Sequence, residues 1–198
     1  MSSENSIKTL AKIAIMAAIA VVIMLVSFPL PSIAPSFYKL DFSEVAVLIG
    51  SFALGPVAGI AIEALKILLN LVFNGTNTAF IGEFANFLMG CALVVPAGVI
   101  YQKNRTRKGA ITGIVVGIVC MVIAGDLLNY FLLIPAYVSI AHFPLEAIIA
   151  AGTKIFPFIN STLSLVLVCV TLFNLVKGVL VGTITALVYK RVSPLLKK

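Results

Sequence analysis

Asn129, Asn174 and Lys177 stand in stretches that are otherwise apolar, the last two within the run Phe173-Asn174-Leu175-Val176-Lys177-Gly178. A carboxamide offers one acceptor and two donor hydrogens and an ammonium offers three donors, so these side chains together can hold the polar edge of a small planar molecule. A polar or ionisable group in a membrane interior is costly, which makes each a candidate ligand contact. Two structural roles compete with that reading. Asparagine commonly bonds across membrane helices, and Lys177 can pair with Asp126.

Other polar groups point elsewhere. Glu63, Lys66 and Asn70 share one helix face by their spacing, so Glu63 and Lys66 can neutralise each other. With no second acidic partner in view, an ion pair is the expectation over a proton or ion relay. His142 is alone, and Cys91, Cys120 and Cys169 occur singly, so neither a metal site nor a redox pair is expected. The chain contains no G-x-x-x-x-G-K-[ST] phosphate loop and no H-E-x-x-H motif. A membrane-embedded enzyme would need a nucleophile with a base, or a metal cluster, at one depth, and neither is present in the pattern. Gly109, Gly113 and Gly117, like Gly178 and Gly182, read as packing seams.

The elements that must position these residues are membrane helices. Hydrophobic residues make up 61% of the 198 positions and charged residues 11%, with a mean hydropathy of +1.17. That leaves no polar face large enough for a soluble domain. The net charge of +7 belongs to basic residues beside apolar runs, not to a stripe interleaved with aromatics. Nucleic acid is therefore not an expected partner, and membrane lipid is. Ala18-Ile19-Ala20 mimics a signal-peptide cleavage triplet, yet the apolar run continues through Val26, and the first helix is read as retained. The expectation is one all-α transmembrane substrate-binding domain over 1–198.

The first helix runs from about Ile7 to Phe28 and ends at Pro29, Pro31 and Pro35. Asp41 and Glu44 have capping-box spacing and open a short second helix that ends near Leu54, at Gly55-Pro56. About twelve residues at 1.5 Å each cover little more than half the hydrocarbon core, so this helix must be buried in protein at one end or extend into a loop. The third helix spans about Pro56 to Phe73, Asn74-Gly75-Thr76-Asn77 forms a turn, the fourth covers about Ile81 to Tyr101, and the fifth runs from near Gly109 to Ile134-Pro135. Phe158 to Tyr189 is too long for one simple span. Ten of the fourteen basic residues fall in three segments, around Lys8 and Lys12, from Lys103 to Lys108, and from Lys190 to Lys198. Six spans put all three segments in the cytoplasm, as the positive-inside rule requires, and a seventh would not. Asn174 to about Arg191 is therefore the sixth helix, with Asn174 near its N-cap and Phe158 to Leu172 an outer, partly embedded segment.

This topology fixes depths. Asn174 and Lys177 lie near the outer end of the sixth helix, and Asn129 is about twenty residues, or roughly 30 Å, beyond the cytoplasmic Lys108. Glu83 and Asn86 fall in the first turns of the fourth helix on the same side, as does the proline-rich loop carrying Tyr38, Lys39 and Asp41. Polar groups from several segments converge on one outward-facing pocket.

Four runs carry a family resemblance: Leu40-Asp41-Phe42-Ser43-Glu44-Val45, Phe52-Ala53-Leu54-Gly55-Pro56-Val57-Ala58-Gly59, Gly82-Glu83-Phe84-Ala85-Asn86-Phe87 and Phe173-Asn174-Leu175-Val176-Lys177-Gly178. In composition and order they resemble the riboflavin-specific S component of energy-coupling factor (ECF) vitamin transporters. The resemblance implies a six-helix subunit of a prokaryotic cell membrane that captures riboflavin on the outer face and works with a transmembrane coupling protein and two ATPases. It carries flavin contacts over to Asn129, Asn174 and Lys177; Leu40 and Asp41, in the first of the runs, and Glu83 and Asn86, by their place near the pocket, are further substrate-binding candidates, although Glu83 can equally cap the fourth helix. Leu172 stands where the family has proline. The resemblance also assigns Ala14 and Ala18, small residues at i and i+4, to the docking surface for the coupling protein; taken alone, the same pattern fits internal packing. The isoalloxazine pyrimidine edge alternates carbonyl acceptors with an N–H donor, which suits carboxamides and an ammonium, and ribityl hydroxyls suit Glu83 and Asn86.

The expected function is thus substrate capture without covalent chemistry or a cofactor, with riboflavin as the transported ligand. The rival readings are an S component for another vitamin and a self-sufficient ion-coupled carrier, although the internal repeats that such carriers usually show are not evident.

Overall fold

The computed structural model describes residues 3–76 and 78–197. Asn77, the last residue of the expected turn, and Lys198, in the terminal basic cluster, lie outside the described residues. Helix α1 (Ser3–Leu25) ends where the prolines begin. The chain then forms β1 (Phe28–Pro29), which pairs antiparallel with β2 (Lys39–Leu40), Phe28 opposite Leu40 and Pro29 opposite Lys39. This pairing closes the neck of the proline-rich loop and fixes where Tyr38 and Asp41 leave it.

Helix α2 (Ser43–Leu54) is short and interior, with Ser43 through Phe52 all buried. At 1.5 Å per residue it is about 18 Å long, too short to cross a core of about 30 Å alone, and burial in the bundle satisfies it instead. The expected capping box is not formed. Phe42 is the N-cap, and Asp41 Oδ1 accepts from the Ser43 backbone N–H at 2.9 Å and from the Ser43 hydroxyl, while Glu44 turns away to Lys66. Gly55, at φ +106°, makes the corner into α3 (Pro56–Asn74), whose first-turn proline needs no N–H partner. Helix α3 ends at Gly75, with φ +65°.

Helix α4 (Ile81–Lys103) is followed by α5 (Arg107–Leu128), capped by Thr106, whose hydroxyl accepts from the Gly109 N–H at 3.1 Å. The fifth span does not end at Pro135. A π-helical turn over Asn129–Leu133 leads directly into α6 (Ile134–Ser139). The wider turn seats Pro135 at the start of α6, where its missing N–H leaves no ladder bond broken.

After α7 (Leu145–Thr153), Ser161 and Ser164 form a reciprocal capping box that starts α8 (Thr162–Leu165). A π turn over Val166–Val170 joins it to α9 (Thr171–Lys197). The sixth helix therefore begins about three turns before Asn174, which is interior and not an N-cap. The physical reason is that the start signal is the serine pair, and Leu172 keeps an N–H that lets the helix continue.

Among the described residues, five runs are long and apolar enough to cross a membrane: Ser6–Leu25, Pro56–Asn74, Ile81–Lys103, Arg107–Ser139 and Thr162–Val192. Their glycine seams are internal. A Cβ on Gly113 would come within 2.7 Å of the Ala97 carbonyl oxygen, one on Gly117 would overlap that of Leu93, and one on Gly182 would come within 2.6 Å of Ile114 Cγ2. Helix α5 thus lies close against both α4 and α9. One apolar core gathers Met16, Leu48, Phe52, Ile62, Leu93 and Met121 in the bundle centre. A second gathers Ala34, Leu40, Ile134, Ile159, Leu165 and Phe173 where the proline-rich loop meets α6 and the start of the last span. The functional side chains lie between these two cores.

Candidate functional site

The last span supplies Asn174 and Lys177 from one face of α9, three residues apart. The fifth span supplies Asn129 at the first position of the π turn. All three are nearly buried, 4% exposed for Asn129 and 7% for the other two. Asn174 reaches its place because Gly125 has no side chain: a Cβ there would overlap Asn174 Nδ2. Asn129 Nδ2 donates to the Gly125 carbonyl at 2.8 Å, and Asn129 Oδ1 accepts from the Tyr38 hydroxyl at 2.8 Å. Gly125 is thus the point at which both carboxamides meet α5.

Lys177 Nζ donates to Asp41 Oδ2 at 3.1 Å, and not to Asp126, the partner that the competing structural reading offered. Asp126 instead accepts from the Thr171 hydroxyl at 2.9 and 3.0 Å. Burial alone would push the Asp41 carboxyl up, but Lys177, then Lys66, and the two Ser43 hydrogen bonds outweigh it and hold the group well below the usual carboxylate range. Tyr38 is moved the other way. Burial and the neighbouring Tyr137 push its phenol up, so it stays a neutral donor to Asn129. Its ring packs at 5.6 Å on Phe173 and at 4.7 Å on Phe37, separations typical of paired aromatic rings.

Tyr38, Asp41, Asn129, Phe173, Asn174 and Lys177 line one cavity of about 560 Å³. Glu83 and Asn86 line it as expected, from the first turns of α4. Glu83 Oε2 accepts from the hydroxyls of Thr76 and Thr78, each at 3.1 Å, and Asn74 donates to Asn70 at 2.8 Å. The cavity therefore has aromatic rings, two carboxamides and an ammonium toward α5 and α9, and hydroxyls, a carboxylate and further carboxamides toward α3 and α4. Leu40 differs from expectation: it is buried in the second apolar core, opposite Phe28 in the strand pair, and does not line the cavity. Ala14 and Ala18 are exposed on α1 and do not line the cavity.

The sequence groups Tyr38 with the pocket loop without revealing its role, and it gives no signal for Thr76, Thr78, Phe173 and Glu44 as lining residues. Their types are common in membrane proteins, and only the fold brings them to one cavity. The Glu63–Lys66 pair is present at 2.8 Å, but Lys66 has a second acidic partner that spacing does not reveal, Glu44 at 2.8 Å.

Residues 8–189 match the family described as ECF transporter, substrate-specific component. The chain belongs to that family. Among relatives of this S component, the riboflavin transporter RibU of Staphylococcus aureus (strain TCH60) is 35% identical over 96% of this chain and 93% of its own length. The riboflavin transporter FmnP of Bacillus subtilis (strain 168) is 31% identical over 95% and 93%. A solved chain described as the S component of a bacterial ECF transporter superposes with a TM-score of 0.73 at 33% identity, covering 98% of this chain and 99% of that one. S components are transport subunits and not enzymes, in accord with a multi-pass membrane protein whose polar groups meet at a cavity.

Proposed function

We propose that this S component captures riboflavin from outside a prokaryotic cell and delivers it through an ECF transporter. The observation that carries the reading is one cavity lined by two carboxamides, Asn129 and Asn174, by the Lys177 ammonium and by the Tyr38 and Phe173 rings. A flavin needs that combination: flat apolar surface for its rings and alternating donors and acceptors for its pyrimidine edge. A volume of about 560 Å³ falls within the usual range for a small-molecule site. The names of both bacterial relatives point to the same ligand.

In this reading Asn129 and Asn174 pair with the pyrimidine edge, Lys177 donates to a flavin carbonyl, and Asp41 holds Lys177 in position. Glu83 and Asn86 take ribityl hydroxyls. Leu40 acts from behind, anchoring the loop that carries Tyr38 and Asp41. Counting the interior α2 as a segment makes six helices, with both termini cytoplasmic and the cavity facing outward; the basic segments around Lys12, Arg107 and Lys190 support this orientation. Ala14 and Ala18 dock on the transmembrane coupling protein, which couples this subunit to two ATPases, and their exposure on α1 supports that role. Transport then needs only two arrangements of the subunit whose balance docking shifts.

Titration of riboflavin fluorescence with the detergent-purified chain tests the assignment. Saturable quenching at one flavin per chain is the expected result, and no quenching would refute it.

A further inference from the structure

Next to the cavity, Lys66 lies between two carboxylates. Its Nζ is 2.8 Å from Glu44 Oε1 and 2.8 Å from Glu63 Oε1, and none of the three side chains is more than 1% exposed. With the Asp41–Lys177 pair, the buried set holds three carboxylates against two ammonium groups. The second oxygen of Glu44, Oε2, is buried with no hydrogen-bond partner among the described residues, and so is Glu63 Oε2. Buried carboxylate oxygens are normally satisfied, because leaving one bare forfeits the hydration it had in water.

Glu44 and Glu63 differ in what can reach them. Glu44 lines the cavity and Glu63 does not. Gly90 closes over Glu63 so tightly that a Cβ there would overlap the carboxyl group. Of the two carboxylates, Glu44 is therefore the one that adjoins the cavity.

We propose that Glu44 is a ligand-binding residue, its Oε2 accepting a hydrogen bond from an N–H or O–H donor of the bound molecule while Lys66 holds Oε1. This rests on the riboflavin reading, since riboflavin carries both donor kinds, the imide N–H of the ring and the hydroxyls of the ribityl chain. Asn129, Asn174 and Lys177 supply donors, and Glu44 supplies a charged acceptor.

The experiment titrates riboflavin, N3-methylriboflavin and lumiflavin, which lacks the ribityl chain, against the parent and three purified variants. Glu44→Gln weakens riboflavin binding by about tenfold or more, the scale of a hydrogen bond to a charged group. Glu44→Asp, which keeps the charge beside Lys66 but withdraws the oxygens, weakens it too. Glu63→Gln leaves it unchanged. If the ring N–H is the donor, parent and Glu44→Gln bind N3-methylriboflavin alike; if a ribityl hydroxyl is, they bind lumiflavin alike. Parent-like riboflavin affinity in both folded Glu44 variants, or an equal loss in Glu63→Gln, overturns the assignment and leaves Glu44 as a counter-ion of Lys66. A parent that does not bind riboflavin overturns the flavin reading itself, a result distinct from the other two.

Discussion

Lys177 on the last helix is tied to Asp41 in the loop before α2, Nζ to Oδ2 at 3.1 Å, across 136 positions of sequence. The pair ties the last helix to the loop that carries Tyr38, so under the proposed flavin contact at Lys177 ligand capture and loop position are linked.

Asp41→Asn removes one partner of this buried pair and leaves the other charged. We expect a loss of about 3 kcal/mol in stability, read as a lower unfolding temperature, together with weaker riboflavin binding. The folded carboxyl lies below its unfolded pKa of about 3.9, so its contribution is complete above that pH and is lost as pH falls through the folded value. The unfolding temperature of the parent should lose this contribution only below about pH 4, and Asp41→Asn should lack that part of the decline. A parallel decline in the variant would assign it to other groups.

Gly125→Ala tests how the carboxamides are seated. The new Cβ would meet the far end of the Asn174 side chain, so the amide moves while the helices stay in place. Riboflavin affinity should fall by about 1–3 kcal/mol with an unfolding temperature close to that of the parent. Unchanged affinity would place Asn174 outside the flavin contact.

Ala14→Trp or Ala18→Trp adds bulk to the exposed face of α1, where a large side chain holds a docking helix away. Uptake in cells should be abolished while binding by the purified subunit is retained. Equal loss of both would assign these alanines to the fold.

The orientation is checked by cysteine labelling of intact cells in a background lacking Cys91, Cys120 and Cys169. A cysteine at the exposed His142 should react with an impermeant reagent and one at Lys190 should not. Labelling at Lys190 from outside would reverse the topology.

The sequence disclosed the apolar runs and three polar residues that line the cavity because both depend on local composition: apolar runs are visible, and an asparagine or lysine within one is conspicuous. Capping was less legible. Asp41 has the spacing of a cap box but turns its carboxylate to Ser43 and Lys177, and the true start of the last span is the modest Ser161–Ser164 pair. The π turns at Asn129 and Val166 have no single-residue signature, although the first re-aims Asn129 toward Tyr38. Ion-pair partners far apart in the chain, Glu44 with Lys66 and Asp41 with Lys177, required the fold itself. The consequence is practical: replacing Glu63 and Lys66 together leaves Glu44 unpaired beside the cavity, so that double variant is not a neutral control.

The central claim is that the Asn129, Asn174 and Lys177 side chains hold riboflavin, and affinities of the single variants test it most directly. Asn129→Ala, Asn174→Ala and Lys177→Met should each cost about 1–3 kcal/mol in flavin fluorescence titrations of folded protein, and the Asn174–Lys177 double variant should depart from the sum of its singles. Parent-like riboflavin affinity in all three singles would contradict the account.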